Sequence, residues 1–227
     1  MAPNWLTALA WVYLGIGFVC AGVIVYDIFV NHRRQPMGVM DAVFPITALY
    51  LGPFALGLYL RWGRAGVRPR SAPSTSERPW WATMAIEVSH CGAGCTLGDL
   101  IAEWVIFALA LTIAGYTLFA EYVGDYLLAL AFGIVFQYFA IAPMRGLGLR
   151  EGLKAAARAD FLSLTCFEIG LFGWMALMAF VFFPAPHHLT PTSAAFWFLM
   201  QIGMIIGYFT SWPANVWLVR RGIKVPM

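Results

Sequence analysis

Residues 5–30 read WLTALAWVYLGIGFVCAGVIVYDIFV and hold a single charged side chain, Asp27. As a helix the stretch is about 39 Å long at about 1.5 Å per residue, more than the roughly 30 Å of hydrocarbon in a bilayer. Such a run has no polar face to offer water. In lipid it is a membrane span, because a helix satisfies all of its own backbone polar groups there.

The rest of the chain has the same character. Of its 227 residues, 61% are hydrophobic and 11% charged, and the mean hydropathy is +0.75; a soluble domain has about 25% charged residues. Further apolar runs cover about Met40 to Trp62, 96 to 119, Asp125 to Ala142, Phe161 to Phe183 and Ala194 to Val219. The stretch from Trp81 to Phe119 is too long for one straight crossing, so residues 81 to about 95 are expected to form an interfacial or broken segment before the third span, with Gly92 and Gly94 at the break. The expected fold is an all-α polytopic bundle of about six transmembrane helices. It forms a single domain over residues 1–227, with a basic, Pro- and Ser-rich loop at about 63–80 that reads as solvated or disordered.

Basic residues set the orientation. In the six-span reading, twelve Lys and Arg fall in the loops 61–80 and 144–158 and the C-terminal tail, and only Arg33 and Arg34 fall opposite. The positive-inside rule then predicts that both termini lie in the cytoplasm. The start of the chain lacks a basic region and a cleavage pattern, so no signal peptide is expected. There is no phosphate-binding glycine loop, no basic aromatic patch for nucleic acid, and no lysine in the last span to hold retinal.

Three groups of residues carry chemistry. The first is Glu87 to Asp99, with Cys91 and Cys95 four residues apart and therefore on one helix face. His90 adds an imidazole, and Asp99 and Glu103 continue the four-residue spacing. Thiolate and imidazole suit copper, zinc or iron, so His90, Cys91, Cys95 and Asp99 are the candidate metal ligands. Close helix packing by the glycines and cysteines is the plainer alternative. The second group is ionisable or polar: Asp99, Glu103 and Glu168, with Gln137 and Gln201. A charge at the bilayer centre costs about 2.5–3.5 kcal/mol, so these residues mark an ion or proton pathway or else interhelical hydrogen bonds. The third is methionine, as Met37 and Met40, Met175 and Met178, and Met200 and Met204, whose thioethers suit Cu(I) but which more often simply pack. His187 and His188 read as a solvated loop.

Several strings together resemble a known family. They are Arg34–Met40 (RQPMGVM), Pro45–Tyr50 (PITALY), His90–Asp99 (HCGAGCTLGD), Phe136–Phe139 (FQYF), Pro143–Arg145 (PMR), Ala159–Leu164 (ADFLSL), Met200–Met204 (MQIGM) and Gly222–Lys224 (GIK). They resemble the bacterial multi-pass membrane family catalogued as domain of unknown function 4396, over about residues 26–227. Arg158 stands where the family pattern has Lys, which keeps the charge. The resemblance implies a protein of the bacterial inner (plasma) membrane and implies no activity.

The favoured reading is a protein that binds and moves a transition metal ion, copper first and zinc or iron next, rather than an enzyme. His90, Cys91 and Cys95 capture the ion, and carboxylates compensate its charge. The alternatives are a thiol–disulfide redox protein using Cys91 and Cys95, and a structural or assembly subunit with no small ligand. The expected partners are the lipid bilayer and the ion, without nucleic acid; a homo-oligomer is compatible with such a bundle.

Overall fold

The computed structural model describes residues 2–66 and 78–224, without the side chains of residues 143–145. Seven α-helices follow in order: α1 (Asn4–Phe29), α2 (Met40–Leu51), α3 (Pro53–Leu58), α4 (Trp80–Leu109), α5 (Thr117–Arg145), α6 (Leu149–Leu177) and α7 (Ala194–Arg220). Five-residue π turns extend α3 over Tyr59–Gly63 and α6 over Met178–Phe182. No strand occurs among the described residues. Five helices are long and apolar enough to cross a membrane, and α2 is a shorter apolar one.

Polarity is distributed as lipid demands. Trp5, Trp11, Phe18, Leu109, Phe139, Ile169 and Phe209 lie exposed on the outside, while Glu87, His90, Asp99, Glu103, Asp125, Asp160 and Glu168 are buried. A soluble monomer rarely exposes so much contiguous apolar surface. The chain is an all-α polytopic membrane protein.

The second pass turns back on itself. At 12 residues, α2 is about 18 Å long, too short to cross about 30 Å of hydrocarbon. It stops at Gly52, whose φ of +52° suits glycine, and Pro53 opens α3 at the first helical position, where its missing N–H costs nothing. The tip reaches the middle of α1: a Cβ on Gly17 would stand 2.6 Å from the Leu49 carbonyl oxygen. The hairpin then returns to the end of α1. Asp27 accepts hydrogen bonds from Tyr59 Oη at 2.9 Å and Arg64 Nε at 2.8 Å, and Arg33 donates to the Ala65 carbonyl at 3.1 Å. Arg34 pairs with Asp41 at 3.0 Å where the hairpin begins.

Both ends of the α2–α3 hairpin are thus at the end of the bundle where α1 finishes. The Met40–Trp62 span expected as a full crossing is a re-entrant hairpin with one break at its tip. Trp62 packs edge-on against Trp81, with ring centroids 4.6 Å apart, so α4 starts at that end too. From there α4, α5, α6 and α7 alternate, and Lys224, just past α7, pairs with Glu87 near the start of α4. Apart from Arg68 and Arg70, which lie outside the described residues, all the Lys and Arg of the chain belong to segments at this basic end. The far end, made of residues 2–4, 110–116 and 183–193, has none.

Other boundaries also differ from expectation: the run expected at 96 to 119 ends as helix at Leu109, and the next helix starts at Thr117 in place of Asp125. The break expected within 81–95 is absent, since α4 runs unbroken from Trp80 to Leu109, and Ala110 ends it in the left-handed region. Its glycines are contact points: a Cβ on Gly94 would lie 2.9 Å from Gly133 Cα, and one on Gly98 would strike the backbone of Ala129. Packing of α4 on α5 outweighs a propensity cost of about 1 kcal/mol per glycine. The first twelve residues of α6, which come before the Phe161 start expected for that span, are helical and carry Arg150, Lys154 and Arg158 on their outer side. Of the basic loop expected at about 63–80, residues 67–77 lie outside the described residues.

Candidate functional site: a buried file of carboxylates and thiols

Glu87, Cys91, Cys95, Asp99 and Glu103 occupy every fourth position of α4. At 3.6 residues per turn a four-residue repeat stays near one face and drifts slowly around the helix. The five side chains therefore form a shallow spiral along about 24 Å of α4. All are buried, with Cys95 and Asp99 at 0% exposure. The close approach at Gly94 and Gly98 brings α5 against this face.

At the far-end half the spiral meets other acids. Glu121 and Asp125 project from α5, again four residues apart, and Glu168 comes from α6. Asp99 stands within electrostatic range of Glu168 and Glu103, Glu103 of Glu121, and Asp125 of Asp99, Glu103, Glu168 and Glu121. Both carboxylate oxygens of Asp99, Glu103, Asp125 and Glu168 lack a hydrogen-bond partner among the described residues. None of the four is in an ion pair there; the ion pairs are Arg34–Asp41, Arg64–Asp27 and Lys224–Glu87.

Toward the basic end the file turns to sulfur and then to a cation. Cys95 lies beside both Glu168 and Cys91, and Ser163 of α6 donates to Cys91 Sγ at 3.3 Å. One turn along, the Asp160 carboxylate points from α6 onto Gly133 of α5, a position open only because Gly133 has no side chain. The file closes on Lys224. Its ammonium is fully buried, donates to Asn215 Oδ1 at 2.8 Å, and stands 3.2 Å from Glu87 Oε1. Burial alone would lower the Lys224 pKa; the negative charge of the adjoining Glu87 carboxylate, with Asp160 nearby, more than reverses this and raises it.

The eight residues singled out in the sequence divide into three places. Cys91, Cys95, Asp99, Glu103 and Glu168 share the file. His90 turns to α5, with its ring 6.2 Å from that of Phe136 and Gln137 beside it. Gln201 of α7 reaches the re-entrant tip and donates to the Leu49 carbonyl at 2.6 Å. Among the described residues no three His, Cys, Asp or Glu side chains come together as metal ligands: His90 faces α5 while Cys91 faces α6. All four cysteines are free thiols.

Sequence reading missed Glu121, Asp125, Asp160 and Lys224 as site residues. The four-residue spacing of Glu121 and Asp125 was available as a signal, but a span start placed at Asp125 put both at the membrane surface. In fact α5 begins at Thr117.

The family profile described as Domain of unknown function (DUF4396) matches residues 80–224. The chain belongs to this family. The match opens on the first residue of α4 and closes on Lys224, so it holds every member of the file and leaves out α1 and the re-entrant hairpin. No curated protein and no solved structure matches the chain.

Proposed function

We propose that this DUF4396 protein moves cations across the membrane along the file that runs from Glu121 to Glu87. The observation that carries the reading is the set of five buried carboxylates, Asp99, Glu103, Asp125 and Glu168 in the acidic half and Asp160 toward the basic end, without hydrogen-bond partners among the described residues. An isolated ionised carboxylate in an apolar interior is very costly. Each such group is stable only when it holds a proton or a cation. A row of groups that must hold one or the other is suited to handing cations along, and ionisable groups at membrane depth commonly mark such paths.

The cargo favoured by the residue chemistry is a transition metal ion, copper first and zinc or iron next. The support is the pair Cys91 and Cys95, two soft donors four residues apart on one face of α4 in the middle of the file. A third ligand would have to come from the cargo's own shell or from a side chain that moves toward them, since no three such side chains converge among the described residues. His90 is a second-stage ligand in this reading, since its ring faces the neighbouring helix. Thiolates bind metal only after losing a proton, so ion and proton compete for the same groups. Elemental analysis of protein purified without a metal-binding tag tests the cargo. Wild-type protein from metal-replete growth is expected to hold close to one ion per chain. Cys91→Ser/Cys95→Ser protein should fold and lose it, while His187→Ala/His188→Ala protein keeps it. Wild type with no bound ion would leave the proton as the cargo and remove the metal.

The basic end faces the cytoplasm of a bacterial plasma membrane under the positive-inside rule. With five full crossings and one hairpin, the C-terminus is inside and the N-terminus outside, in place of the two cytoplasmic termini expected from six crossings. Single cysteines at Asn4 and Gly115, on a background lacking native thiols, should react with an impermeant maleimide in intact cells, and one at Arg64 should not. Labelling at Arg64 together with protection at Asn4 would reverse the orientation.

A further inference from the structure

At the far end, a cavity of about 630 Å³ opens between α4, α5, α6, α7 and the 183–193 loop. It is much larger than the coordination shell of any metal ion and falls within the range of pockets that hold small organic molecules. Its walls include Phe107, Tyr116, Phe196, Met178 and Met200, and its ionisable lining groups are Glu121 and, in the outer loop, His188. Glu121 is also the outermost acid of the file, within the electrostatic reach of Glu103. Among the described residues no Lys or Arg belongs to the segments at this end of the bundle.

We infer that this vestibule is a binding site for a lipophilic organic cation, with the positive centre at Glu121 and the apolar body against the aromatic and thioether walls. Three features select that class. The cavity is lined mostly by apolar side chains at the end of an apolar bundle, which suits a ligand that partitions into lipid. A single carboxylate in apolar surroundings favours a cation with little hydration to lose, where a small hard ion would have to shed its water. Aromatic faces attract cations, and methionine fits varied apolar shapes, which suits surfaces that accept several ligands. The site bears on the proposed function because its occupant sits on the first acid of the cation path, yet binding itself requires no movement along that path.

The test uses purified full-length protein in detergent and tetraphenylphosphonium as the probe, with binding followed by titration calorimetry. Saturable binding of one cation per chain is expected, together with at least a tenfold loss of affinity in Glu121→Gln and near-wild-type affinity in Glu121→Asp. Neutral triphenylphosphine oxide should bind at least tenfold more weakly than the cation. Ala179→Phe, which fills the cavity without touching its charge, should abolish binding and serves if Glu121→Gln fails to fold. Equal affinity for the cation in wild type and Ala179→Phe would overturn the proposal. So would absence of saturable binding, or silver ion binding at one per chain that Glu121→Gln or Met178→Ala weakens while the phosphonium does not bind. Asp99→Asn protein should bind the phosphonium normally. Loss of cation flux in that variant with binding retained separates failure of the path from failure of the site.

Discussion

Replacement of Asp99 by asparagine should cut cation flux by about a hundredfold or more while leaving a folded, membrane-inserted bundle. Asp99 lies in the middle of the acidic group, neighbour to Glu103, Glu168 and Asp125. Asparagine keeps the size and removes the site's ability to exchange a proton or hold a cation. The charge of a carboxylate at this depth is worth about 3 kcal/mol, and each 1.36 kcal/mol is about a factor of ten in rate. Because the native carboxylate has no hydrogen-bond partner among the described residues, the amide breaks no native bond. Thermal stability should therefore hold while flux falls. Flux in proteoliposomes and a melting curve on the same preparation check both halves. A stability loss with unchanged flux per folded molecule would return Asp99 to a packing role.

The second large effect is at the opposite end. Lys224→Met should destabilise the protein by about 3–5 kcal/mol, the usual result of removing one partner from a buried pair. Lys224 is held from two sides, by Glu87 at 3.2 Å and Asn215 at 2.8 Å, with its side chain fully buried. Methionine fills much the same volume and supplies no charge. Glu87→Gln/Lys224→Met should recover part of the loss, because buried pairs replaced together are often near neutral. The pH dependence has a definite sign. The Lys224 pKa is raised in the folded protein, so the stabilisation is complete below the ordinary lysine pKa. It is lost only as pH climbs through the higher folded value. Wild type and Lys224→Met should differ by a constant amount across the neutral range and converge only in strong alkali. A difference that changes between pH 6 and 8 would mean that Lys224 is not the charged partner.

Much of this architecture was legible in the chain because lipid leaves few choices. The apolar run at residues 5–30 has no other reading, and the runs ending at Phe183 and Val219 are nearly as plain. The hairpin was harder. Residues 40–62 have the composition and the length of a crossing, and only Gly52 followed by Pro53 marks a turn. Their significance depends on Gly17, which lets α1 admit the tip, and on Asp27, which ties Arg64 and Tyr59 back to the starting side. Those are tertiary facts with no local signature. The misjudged hairpin also misplaced Arg33 and Arg34, the two basic residues that spoiled an otherwise one-sided charge distribution.

The candidate site shows the same division. The four-residue spacing from Cys91 to Glu103 was visible, and α4 carries it as a continuous spiral. Local propensity reads Gly92 and Gly94 as a break. The structure instead uses Gly94, together with Gly98, to admit Gly133 and Ala129 of α5, and Gly92 to admit Tyr50 and Phe167. The close approach of α5 brings Asp125 near Asp99 and Glu103. Lys224 was hidden for a different reason. A lysine shortly after a span reads as a solvated anchor, and only the fold-back of residues 221–224 onto Glu87 places it inside the bundle.

The most direct test of the central claim is cation uptake by sealed proteoliposomes of the wild-type protein under an imposed inside-negative potential. Protons, Cu(I), Zn(II) and Fe(II) would each be followed by an internal indicator. At least one of these cations should enter faster than in protein-free vesicles, and Asp99→Asn, Asp125→Asn and Glu168→Gln should each abolish the difference. Folded, correctly inserted wild-type protein that passes none of the four would contradict the account, and the buried carboxylates would then have to be explained as packing groups held neutral by their surroundings.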